Sequence, residues 1–132
     1  MTTFTLAFFA YLVPVFPLGY IWHLKAFSPV YERLEIYRPE PLIPLGLLSM
    51  LVQGIFFAWV YPKLFAPQSE HWLVDGVEFG ALFGTLAWSF AVLPVAAKNR
   101  MTSVRDFVRI ESAFTALQFA VVGPLIAFAY TF

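Results

Sequence analysis

The chain has 132 residues, of which 61% are hydrophobic, 20% aromatic and only 12% charged, and its eight basic and eight acidic side chains balance to zero net charge. An ordinary soluble domain carries about 25% charged residues, so this surplus of apolar surface excludes both a disordered chain and a water-soluble domain of the usual kind. The lack of cysteine removes disulfides, thiol nucleophiles and cysteine metal sites, and zero net charge offers no general attraction to nucleic acid.

A helix crossing a bilayer needs about 20 mostly apolar residues. Four stretches meet that requirement: Phe4–Phe27, Leu42–Leu64, Val74–Ala97 and Phe107–Phe132. The runs are continuous and too long for the roughly 10-residue alternating segments of a membrane β-barrel. The expected fold is therefore all-α, a transmembrane four-helix bundle forming a single domain over residues 1–132. Pro14 and Pro17 in the first span, Pro94 late in the third and Pro124 in the fourth are expected to mark ends or kinks, which neighbouring helices tolerate. Met1–Thr5 carries no Lys or Arg and Lys25 follows the first apolar run, so that run reads as a retained helix rather than a signal peptide.

In the first connection, Ser28 and Pro29 read as an N-cap followed by proline at the first helical position. Val30, Tyr31, Leu34 and Tyr37 share one face, and Pro39 and Pro41 stop the pattern. The expectation is a short helix between spans one and two, lying in the headgroup layer with Tyr31 and Tyr37 as interface anchors. The second connection, Lys63 to Leu73, joins Trp59, Tyr61 and Trp72 into an aromatic belt. Asp75 and Glu78 fit the N-cap and third positions of a capping box opening the third span, and Ser103 with Asp106 gives a similar start to the fourth.

Basic residues orient the spans. Lys25, Arg33 and Arg38 flank the first connection and Lys98, Arg100, Arg105 and Arg109 the third, leaving only Lys63 in the second. Seven against one places the first and third connections in the cytoplasm and both termini outside, as a multi-pass protein of a bacterial inner membrane.

Polar residues inside the spans are the candidates for chemistry, because an uncompensated polar group in hydrocarbon is expensive. The third span carries Gly76, Gly80 and Gly84 at intervals of four, continued by Ala87 and Ala91, a stripe that lets another helix approach closely. On its other face lie Glu78, Thr85 and Ser89. The second span aligns Gly46, Ser49 and Gln53, the fourth aligns Glu111, Thr115 and Gln118, and the first adds Tyr20 and His23. These stripes are expected to converge into one polar seam, with His23, Ser49, Glu111 and Thr115 at its inner part. Gln53, Gln118, Thr85 and Ser89 would lie near the middle and Glu78 at the outer end. Plainer roles exist for each: glutamines as interhelical glue, His23 as a hydrogen-bonded packing residue, and Glu111 near a helix N-terminus paired with Arg105 or Arg109.

His23 and His71 fall on opposite membrane sides in this topology, so a bis-histidine haem within one chain fails. No HExxH, phosphate-binding glycine loop or GxSxG elbow is present. The residues therefore point away from an enzyme, and no cofactor is expected. The two hairpins end alike, in Ala58-Trp59-Val60-Tyr61 and Ala127-Phe128-Ala129-Tyr130, as a parallel duplication would leave them.

The segments Pro17-Leu18-Gly19-Tyr20-Ile21-Trp22-His23, Pro44-Leu45-Gly46-Leu47-Leu48-Ser49-Met50 with Gln53-Gly54, and Ala96-Ala97-Lys98 give the chain its family likeness. It resembles small bacterial four-helix membrane proteins of families of unknown function, which implies fold and location and no catalytic residue. The leading functional expectation is a non-enzymatic accessory or structural subunit, packing with itself as a homo-oligomer or within a larger membrane complex through the glycine face. The alternative is a small-solute transporter or binding protein using the polar seam with proton coupling. A third is a pigment- or haem-associated subunit using His23.

Overall fold

In bilayer surroundings lipid tails are as apolar as leucine, so helices associate through close packing and hydrogen bonds rather than through escape from water. The computed structural model describes residues 2–132, and every regular element among them is helical. Helix α1 spans Thr3–Ile21, capped by the Thr2 side chain on the Thr5 amide, and runs into a π-helical turn, Trp22–Ala26. After it come α2 (Ser28–Leu34), α3 (Ile43–Leu64), α4 (Trp72–Ala91), α5 (Leu93–Lys98) and α6 (Val104–Ala129). Four helical stretches are long and apolar enough to cross a membrane, Thr3–Ala26, Ile43–Leu64, Trp72–Lys98 and Val104–Ala129, within a few residues of the spans expected from sequence.

The helices are not packed as a symmetric square. α4 lies on α6, α6 on α1 and α1 on α3, so α1 and α6 form the inner pair. The tightest contact is between α4 and α6, and glycine is its cause. A Cβ at Gly80 would stand 2.5 Å from the Phe119 carbonyl oxygen, and one at Gly76 would stand 2.7 Å from Pro124 Cα. Gly84 sits against the Phe119 ring, and Gly123 returns the close approach from α6. The glycine stripe does serve close helix packing, and the helix it meets is α6 of the same chain. Ala87 borders the same core, but Ala91 is exposed and lies outside the packed stripe.

Between α3 and α4 the gap is bridged by rings rather than backbone. Phe57 meets Phe83 at 5.3 Å and Phe79 at 5.8 Å in edge-on arrangements, each worth about 0.5–1.5 kcal/mol beyond area burial. At the same end Tyr61 stacks on Tyr130 at 5.1 Å, and the Tyr130 hydroxyl donates to the Ala58 carbonyl. The two similar hairpin ends therefore touch one another, and Tyr61 is buried rather than part of an outer belt.

At the opposite end a second, smaller core joins Tyr31, Leu34, Val92 and Phe107. Thr102 ties the first and third connections together, its hydroxyl donating to the Arg33 carbonyl at 2.7 Å. Arg33 and Asp106 lie 3.6 Å apart at the exposed surface.

Three local expectations change. Phe27, not Ser28, is the N-cap of α2, no side chain caps it, and the helix stops at Glu35 in a left-handed conformation (φ 59°) before reaching Tyr37. Tyr31 is 2% exposed and turned into the bundle, so it is no interface anchor. Helix α4 begins three residues ahead of Asp75, with His71 as N-cap and no side-chain capping bond, so Asp75 and Glu78 do not form a capping box. Ser103 does cap α6, accepting from the Asp106 amide at 3.2 Å.

Candidate functional site

Along α1, Ala7, Tyr11, Val15 and Gly19 recur every four residues and are all buried, and His23 continues the spacing. Here the helix widens: the Phe27 amide reaches back five residues to the Trp22 carbonyl at 3.1 Å. A π-turn of this kind re-aims side chains and is frequent at functional sites. His23 Nδ1 lies 2.9 Å from the Gly19 carbonyl oxygen, and since a carbonyl only accepts, Nδ1 carries the proton.

The remaining ring nitrogen, Nε2, faces Glu111 Oε1 at 3.1 Å. The Tyr31 hydroxyl donates to that same oxygen, and Trp22 Nε1 donates to the Tyr31 hydroxyl at 3.0 Å. Glu111 Oε1 is thus shared by the Tyr31 hydroxyl and His23 Nε2, tying α2 and the π-turn to α6 through one carboxyl group. Both side chains are largely sheltered, 19% exposed for His23 and 15% for Glu111. Glu111 therefore pairs with His23 and Tyr31, not with Arg105 or Arg109.

Rings enclose this centre. Phe114 stands edge-on to His23 at 4.5 Å, and Tyr37 stacks on Tyr31 at 4.9 Å. The phenol of Tyr31 is pushed well above its ordinary range, first by burial and then by its bond to Glu111. It stays protonated and acts as a donor.

At a second level the Tyr11 hydroxyl donates to Gln53 Oε1 and accepts from Gln118 Nε2 at 3.2 Å. A hydroxyl has one proton, so the two amides must face it in opposite senses. Gln53 is left with a free NH₂ and Gln118 with a free carbonyl oxygen.

Both levels border a cleft of about 730 Å³ between the C-terminal half of α1 and the N-terminal half of α3, floored by Phe114 and Gln118 of α6. His23, Tyr37 and Arg38 line one end, Gln53 and Gln118 the other, and Ser49 and Gly46 line its α3 wall. Ser49 turns its hydroxyl back to the Gly46 carbonyl at 2.8 Å. The volume lies in the range of sites for small molecules, about 300–1,000 Å³, and the mixture of apolar wall and few polar groups is typical of them.

The expected seam is thus only partly assembled. His23, Ser49, Gln53, Glu111 and Gln118 gather around the cleft. Thr85 is exposed and lines a separate groove of about 430 Å³ between α4 and α6, together with Thr115, whose hydroxyl returns to the Glu111 carbonyl at 2.8 Å. Ser89 bonds the Leu86 carbonyl at 2.7 Å on the exposed face of α4, and Glu78 is exposed on that helix too. The physical reason is that α4 turns its glycine face to α6, which carries its polar face away from α1 and α3.

Tyr11, Tyr31 and Trp22 are the participants that sequence reasoning missed. Tyr11 sits in an apolar run where one hydroxyl leaves no periodic mark; its place on the four-residue stripe ending at His23 was the available signal.

The chain matches no protein-family model, and neither the curated proteins nor the solved structures give a significant match. Its likeness to other membrane proteins stands at the level of four apolar spans, and no family is assigned.

Proposed function

We propose that the chain is a non-enzymatic binding protein of a bacterial inner membrane, holding a small amphipathic solute in the α1–α3 cleft. The observation that carries this reading is the cleft itself, with a hydrogen-bonding relay at one end and the His23–Glu111 pair beside the other. Through His23 the pair brings an imidazole, held by Gly19 and Glu111, to the cleft wall. The reading is preferred over an accessory subunit because the glycine face that motivated the latter is already covered by α6. Basic residues cluster at the α2 end, so we place that end in the cytoplasm and both termini outside.

Gly46 supplies the test. A Cβ there meets nothing within 4 Å, so Gly46→Trp can project a bulky ring from the cleft wall without a backbone clash at its root. The protein extracted directly into lipid nanodiscs should carry a small molecule, seen by native mass spectrometry, that Gly46→Trp has lost. Bare and identical spectra for both proteins would overturn the reading. Single cysteines at Gln68 and Arg100, in a chain that otherwise has none, test orientation by labelling from either side.

A further inference from the structure

The cleft also carries information about what it holds, given the binding role proposed above. No Asp or Glu lines it, and its polar residues are Tyr20, His23, Tyr37, Arg38, Ser49, Gln53 and Gln118. Arg38 is exposed at the mouth and joins no ion pair among the described residues. Beside it, Leu42 and Ile43 begin α3, whose first-turn amides are already taken. Ile43 donates to the Pro41 carbonyl at 3.1 Å, Leu45 donates to the Leu42 carbonyl at 3.1 Å, and Pro44 has no N–H, so Arg38 is the group left to hold a head. The Arg38 guanidinium therefore acts on this space with no carboxylate of the lining to offset it. Glu35 and Glu40 are near in sequence but outside the lining.

Beyond that mouth the walls are apolar, formed by Phe16, Leu24, Leu47 and Met50. From Leu42 to Gln53 α3 advances eleven residues, about 16 Å at ~1.5 Å per residue, enough to lie along much of an acyl chain. The volume of about 730 Å³ suits one chain rather than the two of a phospholipid. Leu42 and Leu45, on the rim, are 52% and 63% exposed, so the cleft opens sideways toward lipid.

The geometry points to a single-chain amphiphile with a carboxylate head, held at Arg38, its tail lying along the apolar wall formed by Leu47 and Met50 and short of the Gln53–Gln118 relay. The guanidinium takes the two carboxylate oxygens as a fork, a contact that an alcohol cannot match and an ammonium head reverses.

The full chain in nanodiscs of zwitterionic phosphatidylcholine, titrated with oleate, oleyl alcohol or oleylamine, tests this. Wild type should bind oleate saturably and at least ~10-fold more tightly than the alcohol, the weight of about one charge-assisted contact. Arg38→Gln, at an exposed unpaired site, should erase that preference, Arg38→Lys should restore part of it, and Gly46→Trp should abolish saturable binding. Equal or tighter binding of the alcohol or amine, still blocked by Gly46→Trp, would overturn the carboxylate assignment and leave the cleft reading standing. Non-saturable partitioning of all three, indifferent to Gly46→Trp, would mean annular lipid only and would overturn both.

Discussion

His23 and Glu111 lie 88 residues apart in the chain and 3.1 Å apart in the fold, and they join the first span to the fourth by a hydrogen bond. The pair is largely sheltered from water. Replacing either alone, as His23→Ala or Glu111→Gln, should cost about 0.5–1.5 kcal/mol, since a sheltered interhelical hydrogen bond is lost. Replacing both should cost clearly less than the sum, because the second change removes no further contact between them. Reversible unfolding in bicelles closes the cycle, and simple additivity would show that the two side chains do not interact.

Two glycines one span apart should respond oppositely to the same change. Gly80→Leu drives a side chain into the Phe119 backbone, which cannot yield without separating α4 from α6. Overpacking of this kind costs about 1–3 kcal/mol and more where backbone is struck. Gly46→Leu meets open space and removes a poor helix former, so it should be neutral or mildly stabilising. Thermal unfolding of the two variants decides; a tolerant Gly80 would mean that α4 and α6 are not so close.

The same contrast measures how much could be read from the residues alone. The Gly76, Gly80 and Gly84 stripe announced close packing through its spacing. Its partner was not announced, because the groove that receives it is built from Phe119, Gly123 and Pro124 of a helix more than thirty positions away. Once that contact forms, the opposite side of α4 has nowhere to go but outward, which removes Thr85, Ser89 and Glu78 from the cleft.

Tyr11→Phe should sever the relay between Gln53 and Gln118 while keeping the ring packing on Phe57 at 5.1 Å. Interhelical hydrogen bonds in membranes average about 0.6 kcal/mol and reach about 1.7, so a loss of about 1 kcal/mol is expected. Unfolding free energies of Tyr11→Phe and of Tyr11→Phe with Gln53→Leu should then nearly coincide. A further large loss in the double variant would show that Gln53 is held by something other than Tyr11.

Alkaline pH should act through Tyr31, which is 2% exposed. Its folded pKa is raised, by burial and then by Glu111, above the unfolded value near 10. The unfolded state therefore loses this proton first. The stabilisation is complete below about pH 10 and declines as pH rises beyond it toward the folded value. The part of the phenolate absorbance that Tyr31→Phe removes should appear together with unfolding, and that variant should flatten the loss of stability above about pH 10. Phenolate formation by Tyr31 in the intact fold would contradict the burial argument.

Four spans, their ends within a few residues and the absence of strands follow from apolar run length and composition, because a bilayer demands ~20 uninterrupted apolar residues and closes every backbone hydrogen bond within the helix. Periodicity likewise marked Gln53, Gln118, His23 and Glu111 as inward candidates. What periodicity lacks is the rotation of one helix against another. That rotation follows from which backbones can approach most closely, and here glycine on α4 and α6 settles it. It gathers His23, Ser49, Gln53, Glu111 and Gln118 at the cleft and carries the α4 stripe of Glu78, Thr85 and Ser89 away from it. It also turns Tyr31 from a headgroup anchor into a donor to Glu111, since the second core at Val92 and Phe107 draws α2 against the bundle.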